Sequence, residues 1–538
     1  MESMSKEIAS GTFITVDNVA RSWDLIVIGG GITGAAVFRE AVRMGLRVLL
    51  MEQEDFAWGT SSRSSKMVHG GLRYLKEGKV LLTRASVKER QRLLGEVPGL
   101  VDPLGFMMPV YSDGGPSKTL MGVGLSVYSL MALEKQHIGY SAARMAELVP
   151  GLRTENLTGG FYFKDAQVDD ARLVLRLIQE GQANGGTALN YTRVQAIGRD
   201  SHGKLASVTA QDTETGASAE LSTKAVVNAT GAWADRLGTV PEPGVHLRPL
   251  RGSHMVFPAS VFPLDKVVSF IHPADHRPVF IFPWEGTAFL GTTDVDHERD
   301  LNTEPVITRR EVDYLMEGLD FILPGLNISE SSCIATMAGV RPVLSHGRAA
   351  ASAESREHAV WDEKGMVTMT GGKLTTFRLL ANDALKAARD YLPATPLPSR
   401  KEPVFDAPKS RSRKMDQVKA AAQQRLYGRY GEQANALVEG CVPDLLTPVF
   451  STDTLWAEID FAARHGQVRH LSDLLLRRVR IGVLLAEGGA ICFERLEPIC
   501  KSALGWSQDQ WEAEKAAYMK LWNQAYAPPA VLFKADEI

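Results

Sequence analysis

Apolar positions along this chain fall into runs of unbroken hydrophobicity, runs of helical spacing, and polar, glycine-rich connections between them. The stretch 24–52, DLIVIGGGITGAAVFREAVRMGLRVLLME, opens on an apolar run, passes clustered glycines, continues in an alanine-rich helical pattern and closes on a second apolar run ending in an acid. That order predicts strand, turn, helix and strand, with Gly45 standing where a helix C-terminus needs it. Residues near 78–96 read as a helix, and 121–133 (MGVGLSVYSLMAL) as a buried helix too short to span a bilayer. In 160–177 aromatic strand residues precede Asp169, Asp170 and a helix of apolar spacing. Residues 187–196 predict a strand, 204–227 a hairpin, and 253–257, 268–271, 278–283 and 287–292 alternating strands of an antiparallel sheet. The stretch 367–392 repeats strand, glycine turn and helix, the helix beginning at 374. Pro393, Pro396, Pro398, Pro403 and Pro408 punctuate a linker, and 415–523 reads as helical throughout. The organisation so predicted is an N-terminal extension (1–23), a nucleotide-binding unit with an interleaved sheet (24–392), a linker (393–414) and a helical C-terminal unit (415–538), with no internal repeat.

The glycines give the first stretch its chemistry. Gly29, Gly31 and Gly34 form G-x-G-x-x-G: the first permits the tight turn, the second lets backbone approach a pyrophosphate, and the third lets helix and strand pack closely. The pyrophosphate then rests on the helix N-terminus. Glu52 lies where a carboxylate accepts hydrogen bonds from an adenosine ribose, and Gln53, Glu54 and Asp55 follow without an arginine, which argues against NADP. The fingerprint alone does not separate NAD from FAD. Two further turns favour FAD: Ala229, Thr230 and Gly231 end an apolar strand, and Gly371 and Gly372 precede Lys373 and a helix whose N-terminus is a second positive dipole end.

Composition narrows the class further. A chain of 538 residues exceeds one hydrophobic core, and 60 basic against 63 acidic residues, a net charge of −3, exclude bulk nucleic-acid binding. Cys333, Cys441, Cys492 and Cys500 show no C-x-x-C, which suits a reducing compartment and no structural metal. The first residues carry no signal-like apolar core and no run reaches the roughly eighteen apolar residues of a span, so any membrane contact is expected to be peripheral. The basic run Lys409, Arg411, Arg413 and Lys414 reads as a solvated linker, and LLLRRVRIGVLL (474–485) as a buried helix in preference to one lying on lipid. The stretch 60–75, TSSRSSKMVHGGLRYL, is too polar for core, mixing hydroxyls and glycines with Arg63, Lys66, His69 and Arg73.

Taken in order, IGGGITG, TSSRSSKMVHGGLRYL, VDDARLVL, NATGAWAD, RGSHMVFP, FPWEGTAFLGTTDV, AGVRPV and GGKLTTFR resemble the FAD-dependent glycerol-3-phosphate dehydrogenases of respiration, over about 24–390. The stretch 458–482, EIDFAARHGQVRHLSDLLLRRVRIG, is similar to that family's helical cap. The glycine motif is generic to flavoproteins of the D-amino-acid oxidase type, whereas SSKMVHGGLRYL and GGKLTTFR are far more specific. The resemblance implies an α/β FAD-binding Rossmann-like fold of the glutathione reductase/D-amino-acid oxidase type, with an inserted antiparallel β substrate domain and an all-α C-terminal cap domain. It implies oxidation of sn-glycerol 3-phosphate to dihydroxyacetone phosphate by hydride transfer from C2 to FAD N5, with electrons passed to quinone. It also implies a homodimer attached peripherally to the inner face of the cytoplasmic membrane. The alternatives are an oxidase using oxygen, which in the examples it resembles has a longer chain with an insertion, an amine or amino-acid oxidase, and a flavin-binding scaffold without chemistry.

A small phosphorylated dianion calls for guanidinium forks near the flavin. Arg73 and Arg341 fit, each beside glycine in HGGLRY and AGVRP, where the backbone, at Gly339 for instance, can pass close to a ring system. Arg356 stands where the family uses another arginine, and Tyr74 is a candidate hydrogen-bond donor to substrate. His69 and His254 are both candidates to accept the hydroxyl proton, having the right unperturbed pKa. Lys373 and the helix from Leu374 would stabilise negative charge on the reduced flavin, or Lys373 would reach the phosphate. Thr60, Ser61, Ser62, Ser64 and Ser65 are expected donors to FAD phosphates and the flavin rim, Val194 matches a strand position whose backbone meets adenine, and Thr375 joins Gly371 and Gly372 at the second turn.

Overall fold

The apolar run before the glycines becomes strand Ser22–Ile28 at the middle of an eight-stranded sheet in the computed structural model, which describes residues 14–72, 78, 80–132, 137–238, 246–345, 358–399 and 401–533. It pairs in parallel with Ser218–Asn228 on one side and Val48–Met51 on the other, and beyond these lie Met366–Thr370 and Thr187–Leu189. Parallel strands covered on both faces need no polar alternation, which is why these runs are continuously apolar. Helices Ile32–Arg43, Asp170–Ala183 and Phe377–Ala387 form a shared core with one face of this sheet. The antiparallel pair Thr192–Arg199 and Leu205–Asp212 helps bury the other.

The alternating strands build a second sheet of ten strands among the described residues. Its longest pairing joins His246–Pro258 to Ala335–Ser345, antiparallel, with Gly252 opposite Gly339 and Leu250 opposite Arg341. Thr287–Gly291, Pro278–Trp284 and Val267–Ile271 follow as hairpins. The sheet then continues through a parallel pairing of Val267–Ile271 with Val101–Tyr111, so it is not wholly antiparallel as expected. Strand Val101–Tyr111 escapes sequence reading because Pro103, Gly105 and Pro109 interrupt its pattern, and it is held by its long antiparallel pairing with Leu157–Val168.

Three expectations need correction. The apolar stretch at 121–133 is a helix, Lys118–Ala132, but it buries only Leu125 and Tyr128 fully among its large apolar side chains and leaves Leu120, Val123, Val127 and Leu130 exposed. A run that is apolar on every side carries no mark of which side meets solvent. The helix expected over 374–392 is a 3-10 turn at Leu374–Thr376, α-helix Phe377–Ala387 and a further turn at Arg389–Tyr391. The C-terminal stretch is not helical throughout: a bridge between Pro448 and Leu455 and left-handed residues at Glu487, Gly488 and Gly489 break it, and Leu474–Arg478 winds as a π-helical turn. Residues 474–485 are buried, so no part of LLLRRVRIGVLL lies on lipid. Trp456, Trp511 and Trp522 of the helical part share one core with Phe106, Trp284 and Phe289 of the second sheet. The basic run stays on the surface, where Arg411 pairs with Asp416 at 2.6 Å.

Candidate active site

A cavity of about 1980 Å³ runs between the ends of the parallel strands and the second sheet. One end is the glycine turn. Gly29 has a φ of +107°, and a Cβ there would lie 2.7 Å from the Ala229 carbonyl oxygen, while a Cβ on Gly34 would lie 1.8 Å from the Gly29 carbonyl oxygen. These contacts draw the start of helix Ile32–Arg43 against the strand ends, and Gly29 and Gly31 line the cavity. No acid sits in the first turn to offset the positive end of this helix, and Gly31, Ile32 and Thr33 at that end line the cavity. Gly34 itself lies behind the turn, off the cavity, as its packing role requires.

Glu52 lines this end with its carboxylate accepting the Gly30 N–H at 2.7 Å and the Glu54 N–H at 3.0 Å. Burial, opposed by those bonds, pushes its carboxyl above the ordinary range. Val194, Ala229, Thr230 and Gly231 line the same space.

The hydroxyl loop is ordered by a network of its own. Ser61 Oγ accepts the Ile32 N–H at 2.9 Å, Thr60 Oγ1 donates to the Val340 carbonyl, and Ser64 Oγ donates to Asp170 at 2.7 Å. Thr60, Ser61, Ser64 and Ser65 still line the cavity. Ser62 does not; its carbonyl accepts from Lys66 Nζ at 2.7 Å and from Arg480 at 2.5 Å, on the side away from the cavity. Lys66 also contacts both oxygens of Asp170, at 2.8 and 2.9 Å, and burial pulls its ammonium down to about 7.

At the other end His69, Gly339, Arg341, Gly371, Gly372, Lys373, Leu374 and Thr375 meet. Arg341 sits on strand Ala335–Ser345, pairs with Asp294 at 2.9 Å and donates to Thr292 Oγ1 at 3.0 Å. Asp294, whose side chain is 0% exposed, also pairs with Arg277 at 3.1 Å. Two guanidiniums thus share one carboxylate at the cavity wall, which Lys373 lines as well. Arg277 and Thr292 line the cavity too, and neither they nor Asp294 stood out in the sequence. The only trace was the acid of GTTDV at a strand end; its arginine partners lie far along the chain, Arg341 on Ala335–Ser345 and Arg277 in the turn before Pro278–Trp284, and pairing across such distances has no sequence signature.

The two histidines separate. His69 lines the cavity, and its carbonyl accepts from Thr375 Oγ1 at 3.2 Å. His254 is fully buried off the cavity, with Nε2 2.9 Å from Ser65 Oγ and its ring edge-on to Phe282 and Phe289. Burial, together with Arg341 and Lys66, holds it well below the ordinary histidine value, so it is neutral at physiological pH. It reaches the cavity only through Ser65. Arg73, Tyr74 and Arg356 lie outside the described residues.

Comparison with known proteins bears on this arrangement. Residues 24–378 match the family described as FAD dependent oxidoreductase, and residues 369–511 that described as C-terminal domain of alpha-glycerophosphate oxidase. The chain is similar to the aerobic glycerol-3-phosphate dehydrogenase of Staphylococcus haemolyticus (strain JCSC1435), 32% identical over 485 residues that cover 85% of this chain and 86% of the relative. It is 35% identical over 382 residues to the protein of that description from Bacillus subtilis (strain 168), covering 70% and 68% of the two. Its fold is similar to that of the glycerol-3-phosphate dehydrogenase from Bacillus halodurans complexed with FAD, with a TM-score of 0.75, 24% identity and 97% of each chain covered.

Proposed function

The chain belongs to the FAD-dependent oxidoreductases, within them to the aerobic glycerol-3-phosphate dehydrogenases, and on that premise we propose that it oxidises sn-glycerol 3-phosphate to dihydroxyacetone phosphate and delivers the electrons to a quinone. FAD is its cofactor. The residues fit that group: a helix N-terminus at the cavity wall with Gly29 and Gly31 suits the pyrophosphate, Glu52 the ribose, Val194 the adenine end, and the turn 371–375 the opposite end. When bound, FAD supplies a two-electron acceptor for the C2 hydride at N5.

The chain's own residues do the rest. Arg341 and Arg277 hold the substrate phosphate, their forks oriented by Asp294. Lys373 and the N-terminal turn at Leu374–Thr376 stabilise negative charge that develops beside them. A ring nitrogen of His69 takes the C2 hydroxyl proton, because His69 is the cavity-lining one of the two candidate histidines. His254 is a positioning residue that orients Ser65. Arg73, Tyr74 and Arg356 keep the substrate-binding roles the family resemblance assigns them. A lipid-soluble acceptor requires work at a membrane surface, here the inner face of the cytoplasmic membrane; among the described residues no helix is long and apolar enough to cross one, so attachment is peripheral. The working unit is taken as a homodimer.

The observation that carries this reading is the joining, in one cavity, of a dinucleotide cradle and a cluster of cations. Its test is anaerobic mixing of the FAD-loaded protein with glycerol 3-phosphate, glycerol and an amino-acid panel, followed by a quinone analogue or oxygen. Bleaching of the flavin band by glycerol 3-phosphate alone is expected, with recovery on adding quinone. The match of residues 369–511 to a domain described for an oxidase supports the second reading, which recovery by oxygen alone would establish. No bleaching by glycerol 3-phosphate would overturn the assigned substrate.

A further inference from the structure

The turn that carries His69 is held by side chains from two directions. A peptide unit offers one acceptor and one donor, and in the unit joining His69 to Gly70 side chains bind both. The His69 carbonyl accepts from Thr375 Oγ1 at 3.2 Å, and the Gly70 N–H donates to the two oxygens of Asp165 at 3.2 and 3.4 Å. Asp165 stands on strand Leu157–Val168 of the second sheet, and its carboxylate is held in turn. Arg90 Nη1 donates to Oδ1 at 2.9 Å, the Tyr128 hydroxyl donates to Oδ2 at 2.9 Å, and Arg90 donates to the Tyr128 oxygen at 3.0 Å. Burial and the neighbouring Asp165 push the Tyr128 phenol well above its ordinary value, so it remains a donor at working pH. A Cβ on Gly70 would lie 2.1 Å from the Tyr128 hydroxyl oxygen, so only glycine lets this backbone approach so closely. The two arms belong to one frame. Glu89, beside Arg90 on helix Val80–Glu96, takes a two-pronged pair from Arg378 at 2.7 and 2.9 Å, and Arg378 lies in the first turn of helix Phe377–Ala387, directly after the turn bearing Thr375.

We propose that Asp165 is a positioning residue for the oxidation: through the Gly70 N–H it fixes the peptide plane that aims the His69 ring at the substrate hydroxyl, while Arg90 and Tyr128 hold Asp165 in place. The inference rests on His69 as the proton acceptor proposed above and names what sets its direction.

Asp165 reaches the cavity wall, yet both of its oxygens are occupied, one by Arg90, the other by Tyr128, with the Gly70 N–H across the two. A carboxylate so engaged acts as a fixed acceptor and not as a base. Its hold is on the peptide of His69 itself, and rotating that plane swings the Cα–Cβ bond from which the ring projects. The other end of the plane is bound by Thr375, which lines the cavity together with Lys373 and Leu374, so the direction of His69 is set relative to the turn expected at the flavin. Proton transfer demands such accuracy, since a misplacement of about 1 Å costs roughly a hundredfold in rate and the supporting contacts decide whether it occurs. Arg90 and Glu89 are almost wholly buried, so the frame is shielded from water and stiff.

The experiment is a double-mutant cycle on the full FAD-loaded chain, with His69→Asn, Asp165→Asn and both together, each mixed anaerobically with glycerol 3-phosphate and followed by the rate of flavin bleaching. Asp165→Asn should slow bleaching at saturating substrate by about tenfold to a hundredfold, with FAD content at the wild-type level. In the His69→Asn background it should slow bleaching no further, because a positioning group acts only through the group it positions. Tyr128→Phe, which removes one hydroxyl and no carbon, should give a smaller loss that also vanishes in that background. If Asp165→Asn does not fold with FAD, Tyr128→Phe passes through the same cycle and the same outcomes decide. Hydrogen exchange over residues 67–72, measured without substrate, should be about tenfold or more faster in Asp165→Asn. A wild-type bleaching rate in Asp165→Asn, a loss that adds fully to that of His69→Asn, or a loss that saturating substrate restores would each overturn the proposal. A wild-type rate in His69→Asn removes the proton acceptor, and the positioning of that acceptor with it. Failure of glycerol 3-phosphate to bleach the wild-type flavin refutes the reaction instead and leaves the exchange measurement to decide, where equal rates in wild type and Asp165→Asn would overturn the hold on the His69 turn.

Discussion

Arg341 shows how little a residue's identity says without its partners. From sequence it is an arginine beside glycine; in the fold it shares the buried Asp294 with Arg277 and keeps its fork at the cavity wall. Hydrogen bonds to charged groups contribute roughly 1.5–3 kcal/mol each, so Arg341→Ala or Arg277→Ala should raise KM for glycerol 3-phosphate by roughly ten- to a hundredfold. Both variants should keep FAD. Arg341→Lys should recover only part of the loss, because an ammonium lacks the planar fork. Steady-state kinetics with flavin quantitation checks all three, and wild-type KM in Arg277→Ala would remove that residue from the phosphate site. The histidines separate in a second experiment. His69→Asn should lower kcat by about a hundredfold or more and remove a limb of its pH profile. His254→Asn should leave the pH profile unmoved, because that ring is neutral, buried and one hydroxyl away from the cavity.

At the scale of elements, the strand–turn–helix at 22–43 was legible because each glycine has a separate steric reason. Those reasons predict different failures. A Cβ at Gly34 collides with the Gly29 backbone, so Gly34→Ala should prevent helix and strand from closing and yield little folded protein. A Cβ at Gly31 meets only Ser61 Oγ, at 3.2 Å, and the backbone there is extended with a negative φ. Gly31→Ala should therefore fold, as far-UV circular dichroism would show, while its flavin content falls because the methyl stands in the cavity. Equal flavin content in the two proteins would undo the assignment of Gly31 to the cradle. The apolar helix Lys118–Ala132 is the opposite case. Its uniform composition pointed to burial, yet the sheet covers one side only, and that side is decided by where Leu125 and Tyr128 dock.

Across the whole molecule, the C-terminal helices are tied to the dinucleotide cradle by buried charge. Asp55, three residues beyond Glu52, takes two hydrogen bonds from Arg478, at 2.6 and 2.7 Å, and one from Arg477. Those guanidiniums hold its carboxyl well below the usual range despite complete burial. Arg477 in turn pairs with Asp473, which accepts the Tyr191 hydroxyl at 2.6 Å. Nearby, His470 bridges helix Gln508–Ala525 to the turn after Leu205–Asp212, with Nδ1 2.9 Å from Glu514 and Nε2 3.2 Å from Glu214. The Glu514 hydrogen bond, helped by the surrounding carboxylates, raises its pKa to about 9. A raised folded-state value means that this contribution to stability is complete below the unfolded value near 6.5 and fades as pH rises through about 9. Wild-type Tm should therefore fall between those limits, and His470→Gln should flatten that part of the curve; an unchanged slope in thermal denaturation would show that the bridge does not titrate there.

By itself the sequence determined the cradle, the alternation that builds the second sheet, the FAD-linked family, and most of the small residues that line the cavity. Each of these depends on local sterics or on a period, and both are written along the chain. Only the tertiary structure decided that Asp294 joins Arg277 to Arg341, that Ser62 and His254 turn away from the cavity, that Arg477 and Arg478 are buried against Asp55 instead of facing lipid, and which side of Lys118–Ala132 remains bare. These depend on contacts between segments far apart in sequence, where partner and facing side follow from how the two sheets and the helices pack and not from the order of residues within any one of them.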